Sequence, residues 1–95
     1  MSDIRTQQWA IVYDISVDKE RTRIEKMLKG WGHRAQKSVF LVTTTRSGIL
    51  TLQRELTALQ PKSGTVLLLR LQANVQPIVI GEPWTHPDAG MAYIF

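Results

Sequence analysis

The sequence contains no cysteine and only two histidines. Without cysteine the chain has no disulfide framework, no thiolate metal site and no cysteine nucleophile. His33 and His86 stand alone, without the spacing of metal ligands, and we expect both to be surface or loop residues. The absence of cysteine fits a reducing compartment, so we expect a cytoplasmic protein.

Long apolar runs are also missing. No run approaches the roughly 18 residues that predict a membrane-spanning helix, and the first residues lack the charged-then-apolar pattern of a signal peptide. The 95 residues are 43% hydrophobic and 21% charged. This composition is typical of one small globular domain with a modest core, and we expect no contact with membranes.

Acidic residues are outnumbered by basic ones, eight to twelve, which gives a net charge of +4. Residues 19–37 carry seven of the basic residues and only two acids, Glu20 and Glu25, so the rest of the chain is close to neutral. Such a cluster favours contact with a nucleic-acid backbone; the alternative is a solvated helix face. The candidates for phosphate contact are Lys19, Arg21, Arg23, Lys26, Arg34 and Lys37.

The first half of the chain has the pattern of a strand, a helix and a long strand. Residues 8–15 are apolar on both faces, which predicts a central strand with Asp14 at its C-terminal end. Residues 18–30 repeat apolar side chains at helical spacing and should end at Gly30, in the left-handed conformation. Residues 34–44 predict one long strand or two short ones.

The second half predicts a helix followed by two strands. Ser47 should cap the helix, whose apolar stripe runs over residues 49–59. Residues 65–71 read as a buried strand. Residues 75–80 read as a further short strand, at an edge or with a bulge because Pro77 has no backbone donor.

This order predicts an α+β, ferredoxin-like βαββαβ sandwich with an extra C-terminal strand and two helices on one face of an antiparallel sheet. We expect one domain over residues 1–81. The tail, residues 82–95, should form part of an interface, because Trp84 and the apolar end at 91–95 would otherwise promote aggregation. The fold hosts many functions, so particular residues must decide the function.

Two parts of the sequence narrow the choice of family. The first is Tyr-Asp-Ile-Ser at 13–16, with Asp-Lys-Glu-Arg at 18–21. The second is Leu-Lys-Gly-Trp-Gly at 28–32, followed by Arg-Ala-Gln-Lys-Ser-Val-Phe at 34–40. Together they resemble the CRISPR-associated protein two family, the smaller of the two universal adaptation proteins, and the resemblance covers residues 9–81.

The resemblance implies a ferredoxin-like homodimer whose sheets face each other and whose last strand crosses to the partner. Members of the family have been assigned metal-dependent endonuclease activity on single-stranded RNA or duplex DNA. They serve with a larger integrase subunit in capturing new spacers. By motif, Asp14 matches the metal-binding aspartate, Tyr13 and Phe40 match positions tied to the nuclease, and Arg21, Arg23 and Arg34 match basic positions.

Asp14 is the sharpest candidate for chemistry. An unpaired carboxylate at the end of an apolar strand is costly, although an aspartate there could also cap a helix or form a turn. One aspartate makes a poor site for Mg²⁺, but a twofold dimer would bring two copies together with a cation between them. We favour Asp18 as a helix cap rather than a metal ligand.

These residues predict hydrolysis of phosphodiester bonds assisted by Mg²⁺ or another divalent cation, with basic side chains holding the phosphates. Tyr13 could alternatively pack under the first helix, and Phe40 could be a core residue. Two other functions remain open: a catalytically silent DNA-binding scaffold for the integrase subunit, and a ribonuclease toxin on the same fold. The choice between RNA and DNA also remains open.

Overall fold

Four strands and two helices alternate along the described part of the chain, residues 5–73 and 75–82 of a computed structural model. The strands form one sheet in the order β2-β3-β1-β4, and all neighbours are antiparallel. This is the predicted ferredoxin-like βαββαβ arrangement. The elements are β1 (Thr6–Ile15), α1 (Asp18–Lys29), β2 (Gly32–Gln36), β3 (Val39–Thr45), α2 (Arg46–Ala58) and β4 (Gly64–Leu71).

β1 is the central strand that the sequence predicts, because it pairs with β3 on one side and β4 on the other. Ile11, Tyr13 and Ile15 point toward the helices and are at most 4% exposed. They pack against buried residues of both helices, among them Ile24 of α1 and Leu52 of α2. Apolar burial on this face holds the helices on the sheet.

The opposite face of the sheet, here called the open face, carries the alternate residues of the same strands. In β1 it presents Ala10, Val12 and Asp14, whose cross-strand partners in β4 are Leu69, Leu67 and Thr65. Leu67 is 52% exposed and Leu69 is 49% exposed. Neither described helix packs on this face, so an apolar surface and a carboxylate lie side by side on it.

The predicted strand at 34–44 is two strands joined by a tight turn at Lys37 and Ser38. The backbone N–H of Tyr13 donates to the Ser38 carbonyl over 3.1 Å, which fastens the turn to β1. A bulge between Arg34 and Gln36 shifts the register before the turn. The hairpin therefore folds back beside the end of β1 that carries Asp14.

Neither Asp18, the predicted cap of α1, nor the nearby Ser16 caps this helix. Val17 occupies the N-cap position without a side-chain hydrogen bond. Asp18, which we expected to cap the helix, pairs with Arg21, and the Ser16 hydroxyl donates to the Ser63 carbonyl. Both side chains have partners elsewhere and so are not used as caps.

Two further details of the helix ends differ from the predictions. Gly30 has φ −78°, an ordinary helical value, so the expected left-handed conformation is wrong. Thr45, not Ser47, caps α2 by accepting from the Gly48 N–H over 3.0 Å. Ser47 lies within the first turn because the helix begins at Arg46, two residues earlier than a cap at Ser47 would require.

The extra strand predicted at 75–80 is not formed in the single chain, because residues 75–82 adopt no regular structure. Ile78 and Ile80 are 88% and 92% exposed. A strand needs a neighbouring edge to satisfy its backbone groups, and this segment has no strand partner among the described residues. The predictions for Trp84, His86 and the 91–95 run concern residues outside the described part of the chain.

The two helices have 12 and 13 residues. Within residues 5–73 and 75–82, no helix combines the length and the apolarity that crossing a membrane requires.

Candidate functional site

Asp14 lies exposed on the open face, one residue before the end of β1. Its cross-strand partner in β4 is Thr65, and the Lys37–Ser38 turn lies beside it on the β3 side. No hydrogen bond or ion pair joins its carboxylate to another described residue. Asp14 is therefore a solvent-accessible carboxylate between the start of β4 and the Lys37–Ser38 turn.

The surroundings of Asp14 decide whether a metal ion fits. Across the described residues, no group of three or more His, Asp or Glu side chains could hold an ion. Mg²⁺ is commonly bound by one or two carboxylates and keeps several waters. The single Asp14 carboxylate lies at the low end of this range, so waters or ligands from outside the described residues of one chain would have to complete the coordination.

Behind Asp14, a hydrogen-bonded cluster joins α1 to the loop before β4; we call it the Ser63 clip. The Glu20 carboxylate accepts from the Ser63 N–H over 2.9 Å, from the Ser63 hydroxyl over 2.5 Å and from the Lys62 N–H over 3.1 Å. The Ser63 hydroxyl accepts from the Val17 N–H over 3.0 Å. The Ser63 carbonyl accepts from the N–H of Ser16 over 3.2 Å and from its hydroxyl over 3.1 Å.

The charge of Glu20 is stabilised by this arrangement. Hydrogen bonds from the side chain and the backbone of Ser63, together with those from Lys62, hold the pKa of the Glu20 carboxyl below its usual value. Glu20 consequently stays ionised at neutral pH, as a carboxylate that accepts several hydrogen bonds should.

Tyr13 and Phe40 lie in the core and are 1% and 0% exposed. The Tyr13 hydroxyl lies 2.7 Å from the Glu25 carboxylate, to which it donates, and 3.2 Å from the Lys37 carbonyl. Arg34 pairs with the same carboxylate over 2.8 Å and lies over the Phe40 ring, 5.4 Å from its centroid. Neither aromatic side chain reaches the surface where a nucleic acid would bind.

Burial, followed by the hydrogen bond and the negative charge of Glu25, raises the pKa of the Tyr13 phenol well above its usual value. The phenol therefore stays protonated, and it serves as a hydrogen-bond donor that ties β1 to α1. This geometry matches the alternative that Tyr13 packs under the first helix.

Four of the six predicted phosphate contacts reach solvent. Lys19, Arg23 and Lys26 lie exposed along one side of α1, and Lys37 is exposed in the turn beside Asp14. No ion pair with another described residue engages them. These four side chains can meet phosphates without breaking an existing contact.

The other two candidates already hold the fold together. Arg21 donates to the Ile15 carbonyl over 3.0 Å in addition to its pair with Asp18. Arg34 is bound to Glu25, and its side chain is only 15% exposed. Their positive charges add to the local field, but their side chains are committed to structural contacts.

A family model described as CRISPR associated protein Cas2 matches residues 7–76. The chain belongs to the Cas2 family. Two curated relatives, from two strains of Thermus thermophilus, are each 38% identical over 81 residues, which is 85% of this chain and 83% of the relative. One of them is named CRISPR-associated endoribonuclease Cas2. The resemblance inferred from the sequence motifs is thereby confirmed.

Two solved structures share this Cas2 fold. One, a hypothetical protein from Thermus thermophilus, has a TM-score of 0.72 at 24% identity and is matched over 82% of this chain and 96% of its own. The other, solved as cas2, has a TM-score of 0.74 at 24% identity and is matched over 83% and 91%. At this identity the likeness bears on the fold.

The sequence analysis of this Cas2 member missed Lys62. Its side chain is exposed, and its loop places it beside Glu20 at the Asp14 end of the molecule. Lys62 is 25 residues beyond the basic segment at 19–37, so its closeness to Glu20 is seen only in the folded structure. Ser63 was missed for the same reason.

Proposed function

We propose that the protein is a nucleic-acid-binding homodimer of CRISPR adaptation that cleaves phosphodiester bonds in RNA or DNA with the help of a divalent cation. The observation that carries the proposal is Asp14, an exposed carboxylate without a described partner at the end of an apolar central strand. Membership of the Cas2 family and the endoribonuclease name of the Thermus thermophilus relative support it.

The open face supports the homodimer. Leu67 and Leu69 are about half exposed there, and contiguous apolar surface of this kind is typical of an interface. Asp14 shares that face, since it lies two residues after Val12 and four after Ala10 along β1. A twofold contact through the open face would cover the leucines and place both Asp14 carboxylates at the interface.

The chemistry follows from charge. Mg²⁺ or another divalent cation bound there would polarise a phosphoryl oxygen and activate water. The two Asp14 carboxylates would hold it, because each supplies one anionic ligand and two like charges at one interface favour a cation between them. Lys37 and Lys62, exposed at the same end, would hold the phosphates on either side of the scissile bond.

The partners follow from the family and the charge. We expect the dimer to bind the backbone of duplex DNA or single-stranded RNA through α1, and to work with the integrase subunit of the adaptation complex. One observation favours a second candidate, a DNA-binding scaffold without catalysis. Each chain offers a single carboxylate at the site, and no cluster of three metal-binding side chains exists among the described residues.

Asp14→Asn tests the proposal. The amide keeps the volume of the side chain but removes the charge that holds the cation, so we expect it to abolish Mg²⁺-dependent cleavage while duplex binding stays near the parent level. Cleavage of end-labelled single-stranded RNA and duplex DNA, with Mg²⁺ and with EDTA, gives the measurement.

Asp18→Asn is the matched control, because Asp18 is another exposed aspartate close by whose contact is with Arg21. It should cleave like the parent. Equal cleavage by the Asp14 variant and the parent would overturn the metal site. Absence of cleavage in the parent and both variants, with duplex binding intact, would favour the scaffold.

A further inference from the structure

The Ser63 clip lies directly beyond the last residue pair of the β1–β4 ladder. That ladder ends with Asp14 opposite Thr65 and Ile15 opposite Gly64. The end of a strand pair opens more easily than its middle because it has fewer neighbours. Asp14 is therefore placed where the sheet would fray unless something closed its end.

The hydrogen bonds of the Ser63 clip hold this end of the β1–β4 ladder together. Ser63 precedes Gly64, and its carbonyl receives both the N–H and the hydroxyl of Ser16. These bonds continue the β1–β4 pairing one step past the ladder. The Val17 N–H, bound to the Ser63 hydroxyl, extends it to the start of α1.

Glu20 holds Ser63 in the position that makes this possible. Its carboxylate receives both the N–H and the hydroxyl of Ser63. The hydroxyl can therefore present its lone pairs to Val17 while it donates to Glu20. Without the carboxylate, Lys62 and Ser63 would lose their bonds to Glu20, and Ser63 would keep its described bonds to Ser16 and Val17.

Close backbone packing transmits the position of this loop to Asp14. A Cβ atom at Gly64 would collide with the carbonyl oxygen of Asp14. The Gly64 backbone therefore lies directly against the peptide group that follows Asp14. A shift of the loop must move that peptide group, and with it the direction in which the carboxylate points.

We propose that Glu20 and Ser63 are positioning residues, which fix the Asp14 end of β1 so that its carboxylate can serve as a metal ligand. The inference rests on the proposed function of Asp14. In this arrangement neither residue needs to touch the nucleic acid or the cation. They act through the loop before β4, and groups that orient a metal ligand commonly affect metal affinity by about tenfold or more when they are removed.

The test measures cation binding at Asp14 directly, by the Mn²⁺-induced broadening of the Asp14 and Thr65 amide resonances. We expect Glu20→Gln and Ser63→Ala to raise the Mn²⁺ concentration for half-maximal broadening by about tenfold. Ser63→Thr keeps the hydroxyl and should stay near the parent. Glu55→Gln is the matched control, because Glu55 is an exposed glutamate on α2 that binds Trp31.

Thermal melting and duplex binding of each variant separate positioning from loss of structure. A merely structural role would lower the melting temperature and reduce duplex binding without changing the Mn²⁺ midpoint. Unchanged midpoints in Glu20→Gln and Ser63→Ala, with broadening lost in Asp14→Asn, would overturn this inference alone. Equal broadening in the parent and Asp14→Asn, or none in the parent, would overturn the proposed metal site and this inference with it.

Discussion

Tyr13 illustrates how the environment of one residue decides between two roles. The resemblance of its motif predicts a role in a nuclease site, yet its hydroxyl is buried and directed at Glu25, which also binds Arg34. A phenol in this position orders a carboxylate and an arginine between β1, α1 and β2. We therefore expect Tyr13 to act by holding the end of the sheet in shape and to take no direct part in a reaction.

Tyr13→Phe tests this role. Glu25 keeps its pair with Arg34 in the variant, so the free energy of unfolding should fall by only about 1 kcal/mol, and cleavage should remain. Urea unfolding followed by fluorescence measures the first quantity, and the cleavage assay the second. Loss of cleavage at unchanged stability would instead give the hydroxyl a part in the reaction.

Because the pKa of Tyr13 is raised in the folded chain, the difference in unfolding free energy between the parent and Tyr13→Phe should depend on pH. In the unfolded chain the phenol ionises near its ordinary pKa of about 10, whereas in the folded chain it stays protonated to higher pH. The unfolded state therefore loses its proton first, and stability falls as the pH rises above about 10. The stability difference between the parent and Tyr13→Phe should narrow over that range.

The residue contacts also show which parts of the site a sequence can reveal. The position of Asp14 at the end of a central strand and the buried face of β1 follow from local pattern, whereas the structural contacts of Arg21 and Arg34 do not. Thr45 as the cap and Gly30 in a helical conformation depend on where a helix begins and how its end packs. The Ser63 clip joins Glu20 to a residue 43 positions away, so no local pattern could indicate it.

At the scale of the element, α1 divides its two sides between folding and binding. Ile24 and Leu28 are buried against the sheet, while Lys19, Arg23 and Lys26 face solvent. Because the charged side makes no contact within the described fold, its positive charges can be changed with little effect on stability.

The double variant Arg23→Ala/Lys26→Ala measures the role of the charged side. Each phosphate contact that is lost should lower the slope of log affinity against log salt by about one unit, so we expect the slope to fall by about two. Fluorescence anisotropy of a labelled duplex, over a series of salt concentrations, gives the slope.

Arg54→Ala provides the control on the other helix, because Arg54 is exposed on α2 and its described contact is with Thr51. It should leave the slope unchanged. A double variant with the slope of the parent would show that the charged side of α1 is only a solvated helix face.

At the scale of the whole molecule, the two faces of the sheet differ in what covers them. The helices pack on one face, and the open face leaves Leu67 and Leu69 half exposed. The exposed Ile78 and Ile80 add apolar surface beyond β4. The sequence predicts a strand at 75–80, but this segment pairs with neither edge strand of the described sheet.

Leu67→Lys tests the open face as the dimer contact. A lysine there would have to be buried without a partner, so the dimer should weaken by at least about tenfold, which is about 1.4 kcal/mol. Sedimentation equilibrium measures the change. Leu50→Lys is the control, because Leu50 on α2 is exposed to the same extent, 52%.

Removal of the residues after Leu71 should also weaken dimerisation if the last segment crosses to the partner. A truncated chain that is as dimeric as the full chain would exclude the crossing. A Leu67 variant that associates like the parent would exclude the open face.

Asp14 lies on the same face as Leu67 and Leu69, so a dimer formed through this face would make activity depend on protein concentration. A lone chain holds half of the proposed metal site, so we expect its turnover to depend on association with a second copy. The specific activity should then rise with protein concentration and level off above the dissociation constant of the dimer. A cell could silence the protein by keeping it dilute, without any inhibitor and without unfolding it.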